Sequence, residues 1–151
     1  MRVAKQTDAP TAIGQRNVRG GLVLLAVGLA LGLAMSLYAF TPMVRVPAPL
    51  DRYDDLPRRL IRLAHIAAIM LPVINVVVGS CLDRVALSAT ARRYASALML
   101  AGAAGLPATL LVEAASPLAR AVHLSAPPAL GFCTGVFVVS VGALRRPLTH
   151  A

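Results

Sequence analysis

Residues 21–40, GLVLLAVGLALGLAMSLYAF, contain no charged side chain, and no other stretch constrains the fold as strongly. A soluble helix of that length would carry a polar stripe along one face, whereas here only Ser36 and the Tyr38 hydroxyl interrupt the apolar residues. A bilayer with a hydrocarbon core of ~30 Å is crossed by roughly 20 helical residues. The block is also longer than the roughly 7–15 apolar residues of a signal peptide. It therefore predicts a membrane-spanning helix that the protein retains.

Three further apolar blocks follow, so that the predicted spans cover residues 21–40, 60–82, 94–115 and 128–144. Hydrophobic residues make up 58% of the chain and charged residues only 14%, against about 25% charged residues in a soluble domain. We therefore predict an all-α integral membrane protein, a four-helix bundle with short loops that occupies residues 21–146. Residues 1–20 are predicted to form a cytoplasmic tail and residues 147–151 a C-terminal tail.

Four spans place both termini on one side of the membrane. That side carries nine Lys and Arg residues and the opposite side carries six, so the positive-inside rule favours cytoplasmic termini. The formal net charge of +9 does not indicate a nucleic-acid partner, because the basic residues lie mostly beside helix ends, where they meet lipid headgroups. The predicted location is a bacterial inner membrane that the chain crosses several times, with the lipid bilayer as its first partner.

The second block has a face of small and polar residues. On a helix with 100° per residue, His65, Ala68, Pro72, Asn75 and Gly79 fall within an arc of about 80°. An unpaired amide or imidazole in lipid costs several kcal/mol, so we predict that this face points into the bundle. Pro72 has no N–H to bond the carbonyl of Ala68, which is left free on the same face.

His65 near the outer end of its helix has two interpretations. It hydrogen-bonds a carbonyl or a headgroup, or it binds a cofactor, because neutral imidazole is a common ligand of metals and haem. His123 falls in the other outer loop and therefore on the same side of the membrane. The two imidazoles are candidate axial ligands of haem b or ligands of a copper ion, and the identity of any metal stays open.

Asn75 and Glu113 are candidates for a proton or ion pathway together with His65, because polar groups inside spans often line such pathways. The structural alternative for Asn75 is a hydrogen bond to a neighbouring helix. Glu113 is the one carboxylate within an apolar block. We expect it to pair with a basic group, and His65, Arg62 and Arg120 are the candidates.

Two pairs of glycines, Gly28 with Gly32 and Gly131 with Gly135, have the spacing that lets membrane helices approach closely. They predict tight packing, either within a bundle or with other subunits through self-association. Cys81 and Cys133 lack the spacing of a metal site and are expected to be small core residues. The sequence contains no recognised catalytic motif, so we predict no catalytic residue.

The second span, RLIRLAHIAAIMLPVINVVVG, resembles helix starts of small bacterial membrane proteins of the cytochrome-b-like and copper-resistance-D-like kinds. That resemblance covers about one helix and implies a haem or copper ligand at His65. The segment YDDLPRRLIRLAHIA after a proline-rich loop also resembles bacterial four-span membrane proteins without an assigned function.

Three functions follow, in this order. The first is a non-enzymatic accessory or assembly subunit of a larger membrane complex, since the short loops leave little room for a soluble active site. The second is a haem- or copper-binding redox protein that uses His65 and His123. The third is a proton or ion pathway lined by His65, Asn75 and Glu113.

Overall fold

The structure, a computed structural model, describes residues 12–39 and 54–145. These residues form five helices and no strand: α1 (Ala12–Ala39), α2 (Leu56–Cys81), α3 (Ala89–Ala115), α4 (Pro117–Ala121) and α5 (Ala126–Leu144). A single 3₁₀ turn, Leu82–Arg84, follows α2. The four long helices confirm the predicted all-α four-helix bundle. The short α4 lies in the predicted loop between the third and fourth spans. The predicted C-terminal tail lies outside the described residues.

All four long helices are long and apolar enough to cross a membrane. The candidate spans are Ile13–Leu37, Leu56–Arg84, Ala89–Ala115 and Ala126–Leu144. The helices begin earlier than the apolar blocks, because a helix continues past the hydrocarbon until a cap or a proline ends it. Ser88 caps α3 by accepting a hydrogen bond from the Ala91 N–H at 3.2 Å. Because α1 begins at Ala12, the second part of the predicted cytoplasmic tail, residues 12–20, is helical.

The helices pack in the order α1, α2, α3, α5. Each of these neighbours is antiparallel to the next, and α1 and α3, which also touch, are therefore parallel. The extensive contacts of α5 are with α3. Both α1 and α3 begin at the same end of the bundle, which we call the N-terminal end.

Glycines hold α1 directly against the backbone of α2. A Cβ atom added to Gly14 would lie 2.7 Å from the carbonyl oxygen of Gly79, and one added to Gly21 would lie 2.9 Å from that of Pro72. A Cβ on Gly28 would overlap the carbonyl oxygen of Ala68, which is the carbonyl predicted to be free. Approaches this close allow Cα–H···O contacts between helices. The predicted packing role of Gly28 is fulfilled within this chain.

The second pair of glycines serves the contact between α3 and α5. A Cβ on Gly135 would lie 2.8 Å from the carbonyl oxygen of Ala95, whereas one on Gly131 would only meet Leu98 Cδ2 at an ordinary 3.7 Å. All four predicted glycines thus face helices of the same chain.

The main apolar cluster is centred on Met99 of α3, with Leu82 of the 3₁₀ turn and Phe132 of α5. Neither cysteine belongs to it. Cys133 is exposed on α5 and Cys81 is half-buried, so the expectation that both are core residues is wrong. A second helix packed against the exposed side of α5 would be needed to bury Cys133. Among the described residues, α5 packs extensively only against α3.

Candidate functional site

A buried polar cluster links three helices near the N-terminal end of the bundle. Asn75 of α2 has no exposed surface. Its Nδ2 atom donates to the carbonyl oxygens of Leu71 and of Met99, both at 3.2 Å, so one bond stays within α2 and the other crosses to α3. The prediction that the face of Asn75 points into the bundle is confirmed.

The cluster is completed from α1 and α3. Asn17 is fully buried, and its Nδ2 atom donates to Oδ1 of Asn75 at 2.9 Å. Ser96 of α3, also buried, donates its hydroxyl to Oδ1 of Asn17. Both groups of the Asn75 amide are therefore engaged. A hydrogen bond between neighbouring helices, the structural alternative for Asn75, is what the geometry shows.

Asn17 was missed at the sequence level because it lies in a polar segment that reads as a tail. A signal was present. Gly14, Gly21 and Gly28 are spaced by seven residues, and Asn17 falls three residues after the first of them. Seven-residue spacing with an intervening position at three defines one packing face of a helix. Extension of this pattern backwards from Gly28 places Asn17 on the face of α1 that contacts α2.

His65 lies partly buried on α2 with its ring against α1. A Cβ atom on Gly32 would lie 2.5 Å from Cε1 and 3.0 Å from Nε2 of the imidazole, so Gly32 makes the space that the ring occupies. The Nδ1 atom is buried without a hydrogen-bond partner among the described residues. His65 is therefore a packing residue of the α1–α2 contact, with a buried Nδ1 atom that has no partner among the described residues.

His123 lies in the turn between α4 and α5. It is exposed and adopts a positive φ of 50°. Its turn is closed by backbone bonds, from its own N–H to Arg120 and from the Ala126 N–H to its carbonyl oxygen. His65 faces α1, whereas His123 lies in the turn before α5. Within the described residues no three His, Cys, Asp or Glu side chains form a metal-ligand group.

Glu113 is buried near the end of α3, and its partner is a backbone group. Oε1 accepts a hydrogen bond at 2.7 Å from the N–H of Ser125, the residue that precedes α5. A carboxylate at this position also faces the positive end of the α5 dipole. Arg120 donates to the carbonyl oxygen of Glu113 at 2.7 Å and not to its carboxylate. The expected ion pair with a basic side chain is absent from the described residues.

These positions define a class of protein, a helical bundle with four candidate membrane spans and an internally bonded polar core. Comparison with known proteins adds no narrower assignment: no protein-family model matches the chain, and no curated protein or solved structure matches it either.

Proposed function

We propose that the chain is a small accessory or assembly subunit of a larger complex in a bacterial inner membrane, and that α5 contacts the partner. The polar groups inside the bundle support a structural role for the interior. Asn75 and Glu113, two of the candidate pathway residues, use their side chains to join helices and to hold the start of α5. A partner would then bind the outer surface.

The observation that carries the proposal is the hydroxyl of Thr134. Four other exposed or half-buried hydroxyls of the described spans donate to carbonyls of their own helix, namely those of Ser36, Ser80, Thr109 and Ser140. The exposed Thr90 and Tyr94 lie in the first two turns of α3, near the end of the bundle. Thr134 is exposed on α5 and has no hydrogen bond to a described residue. An unpaired hydroxyl in hydrocarbon is unfavourable by about 1–3 kcal/mol. A helix of another subunit would supply the acceptor.

The surroundings of Thr134 have the composition of a helix–helix contact. The outer face of α5 combines the exposed Cys133, Thr134 and Ser140 with a large aromatic residue, Phe137. Small and hydroxyl-bearing residues are enriched where membrane helices meet. Between residues 21 and 34 the exposed face of α1 is by contrast wholly aliphatic, with Leu22, Leu29 and Leu33, as is suitable for lipid.

The test is purification of the tagged full chain from its native membranes in a mild detergent, followed by measurement of the mass of the complex. We expect one membrane protein to co-purify in a fixed ratio. Thr134→Val keeps the shape and removes the hydroxyl, so it should weaken the complex about tenfold, as expected for loss of a bond of ~1.4 kcal/mol.

Ser140→Ala is the matched control. It removes another exposed hydroxyl of α5, but one that donates to Val136 of its own helix at 3.0 Å, so the complex should persist. A chain that purifies as a monomer with lipid alone would refute the proposal. Equal loss of the complex in both variants would refute the role of Thr134.

The redox alternative retains one supporting observation, the unpartnered Nδ1 of His65. A reduced-minus-oxidised visible spectrum with metal analysis of the purified protein tests it. A Soret band that disappears in His65→Ala would favour this alternative. A colourless, metal-free and folded sample would eliminate it.

A further inference from the structure

We propose that the crevice between α1 and α3 binds one anionic phospholipid, with the phosphate at arginines of the N-terminal end and one acyl chain along the apolar part. Four cavities lie along the crevice. Three open at the N-terminal end, and their lining includes Arg16, Arg19 and Arg93. The fourth is apolar and lies deeper between the same helices.

The three arginines are available for an anion. Arg16 and Arg19 lie on α1 and Arg93 lies on the first turns of α3; all three are exposed, and none forms an ion pair or a hydrogen bond with a described residue. Arg92, next in sequence to Arg93, is by contrast engaged, with Asp83 at 3.7 Å. Guanidinium groups donate in a planar fork that fits phosphate oxygens.

The start of α3 adds to this positive charge. Thr90 lies in the first turn of α3 and lines the same cavity as Arg16 and Arg93. Ser88 caps only the Ala91 N–H, and the first N–H groups of a helix have no partner within it. The positive end of the helix dipole therefore points towards the same region as the arginines.

The cationic part continues into the apolar part without a break. Gly20 and Leu100 line the cavity that also contains Arg16 and Arg19, and a Cβ on Gly20 would lie 2.7 Å from Leu100 Cδ2. The next residues along both helices line the apolar cavity, namely Leu24, Val27, Leu31, Ala103, Ala104, Pro107, Ala108 and Leu111.

The length of the crevice fits one lipid leaflet. From Arg19 to Leu31 the helix rises ~18 Å at ~1.5 Å per residue, and one leaflet contributes ~15 Å of a ~30 Å hydrocarbon core. When the phosphate of a lipid contacts the arginines, an acyl chain of that lipid therefore runs along the whole length of the apolar cavity. An ordinary zwitterionic lipid would leave the three arginines without a net negative partner.

The test is native mass spectrometry of the delipidated full chain, titrated with dioleoyl phosphatidylglycerol or with dioleoyl phosphatidylcholine. We expect one phosphatidylglycerol to bind much more tightly than phosphatidylcholine. Arg16→Gln and Arg93→Gln should each weaken its binding about fivefold, the effect of one basic residue near an anionic surface. Equal affinity for the two lipids would overturn the proposal.

Matched variants separate a defined site from general positive charge. Arg84→Gln and Arg145→Gln each remove one exposed arginine from the same end of the bundle, outside the crevice, and should leave binding unchanged. If they weaken binding as much as Arg16→Gln, the crevice is not the site.

Two further arms test the acyl chain and the source of the phosphate. Ala104→Phe fills the apolar cavity, whereas Ala101→Phe adds the same ring at an exposed position outside the cavity lining. Only Ala104→Phe should weaken lipid binding, and equal effects would remove the acyl chain from the proposal. Competition by glycerol 3-phosphate at the same concentration as the lipid would make a soluble phosphate the ligand and overturn the assignment to lipid.

Discussion

The amide nitrogen of Asn17 donates to Oδ1 of Asn75 across 2.9 Å, and neither side chain has any exposed surface. This bond ties the beginning of α1 to the later part of α2. Ser96 donates to the same Asn17 from α3. Three helices are therefore joined at one level by these side chains.

Replacement of both asparagines tests this bond. Asn17→Ala and Asn75→Ala should each lower the free energy of unfolding by about 1–2 kcal/mol, and the double variant should lose less than the sum, because they share one interaction. Unfolding in mixed micelles of mild detergent and dodecyl sulfate measures the effect. Ser80→Ala, which removes an exposed hydroxyl bonded within α2, is the control and should change stability by less than ~0.5 kcal/mol. Strict additivity of the two asparagine variants would refute the coupling.

The contact between α1 and α2 predicts a difference between two glycine-to-alanine changes. A Cβ on Gly21 would lie 2.9 Å from the Pro72 carbonyl oxygen and 3.2 Å from the Val76 nitrogen, which are backbone atoms. Gly21→Ala must therefore separate the helices and should cost about 1–3 kcal/mol of unfolding free energy. Gly131→Ala, whose new methyl group meets only a leucine side chain at 3.7 Å, should be nearly neutral. Equal stability of the two variants by thermal unfolding in detergent would contradict the close approach.

The packing of His65 on Gly32 predicts a rescue. A Cβ on Gly32 would lie 2.5 Å from the imidazole, so Gly32→Ala should lower the unfolding free energy by about 1–3 kcal/mol. His65→Ala introduced into the same chain removes the ring and should restore most of that loss. The four proteins of this cycle are compared by thermal unfolding. A loss that persists in the double variant would show that Gly32 opposes some other group.

The bond from Ser125 to Glu113 predicts different effects for two substitutions. Glu113→Gln keeps an acceptor oxygen and loses the favourable charge at the start of α5, for a cost of about 0.3–1 kcal/mol. Glu113→Ala also leaves the Ser125 N–H unpaired, for about 1–3 kcal/mol. Thermal unfolding distinguishes the two variants.

The same variants address the pathway hypothesis. Proton flux into liposomes should be equal for the natural chain and for Glu113→Gln, because this carboxylate is engaged with the backbone. A flux that the natural chain supports and Glu113→Gln abolishes would instead establish a proton pathway through Glu113.

Some features of the fold and site could be predicted directly. The apolar blocks located all four long helices, and the spacing of Ala68, Pro72, Asn75 and Gly79 identified the face of α2 that is buried. The burial of Asn17 was not predicted because its neighbours in sequence are polar, although its neighbours in space are Asn75 and Ser96. The partner of Glu113 also escaped, because the Ser125 N–H is brought to it only by the turn after α4.

The difference between the features that the sequence predicts and those that only the tertiary structure shows has a physical reason. Transfer of a helix into lipid depends on the apolar surface of its own residues, so the order of residues in each block alone determined that these segments are long, apolar helices. Contact between helices depends on pairs of surfaces. Only the tertiary structure decided that Gly28 meets Ala68, that α5 packs on α3, and that arginines of α1 and α3 line one crevice, because each of these joins residues far apart in the chain.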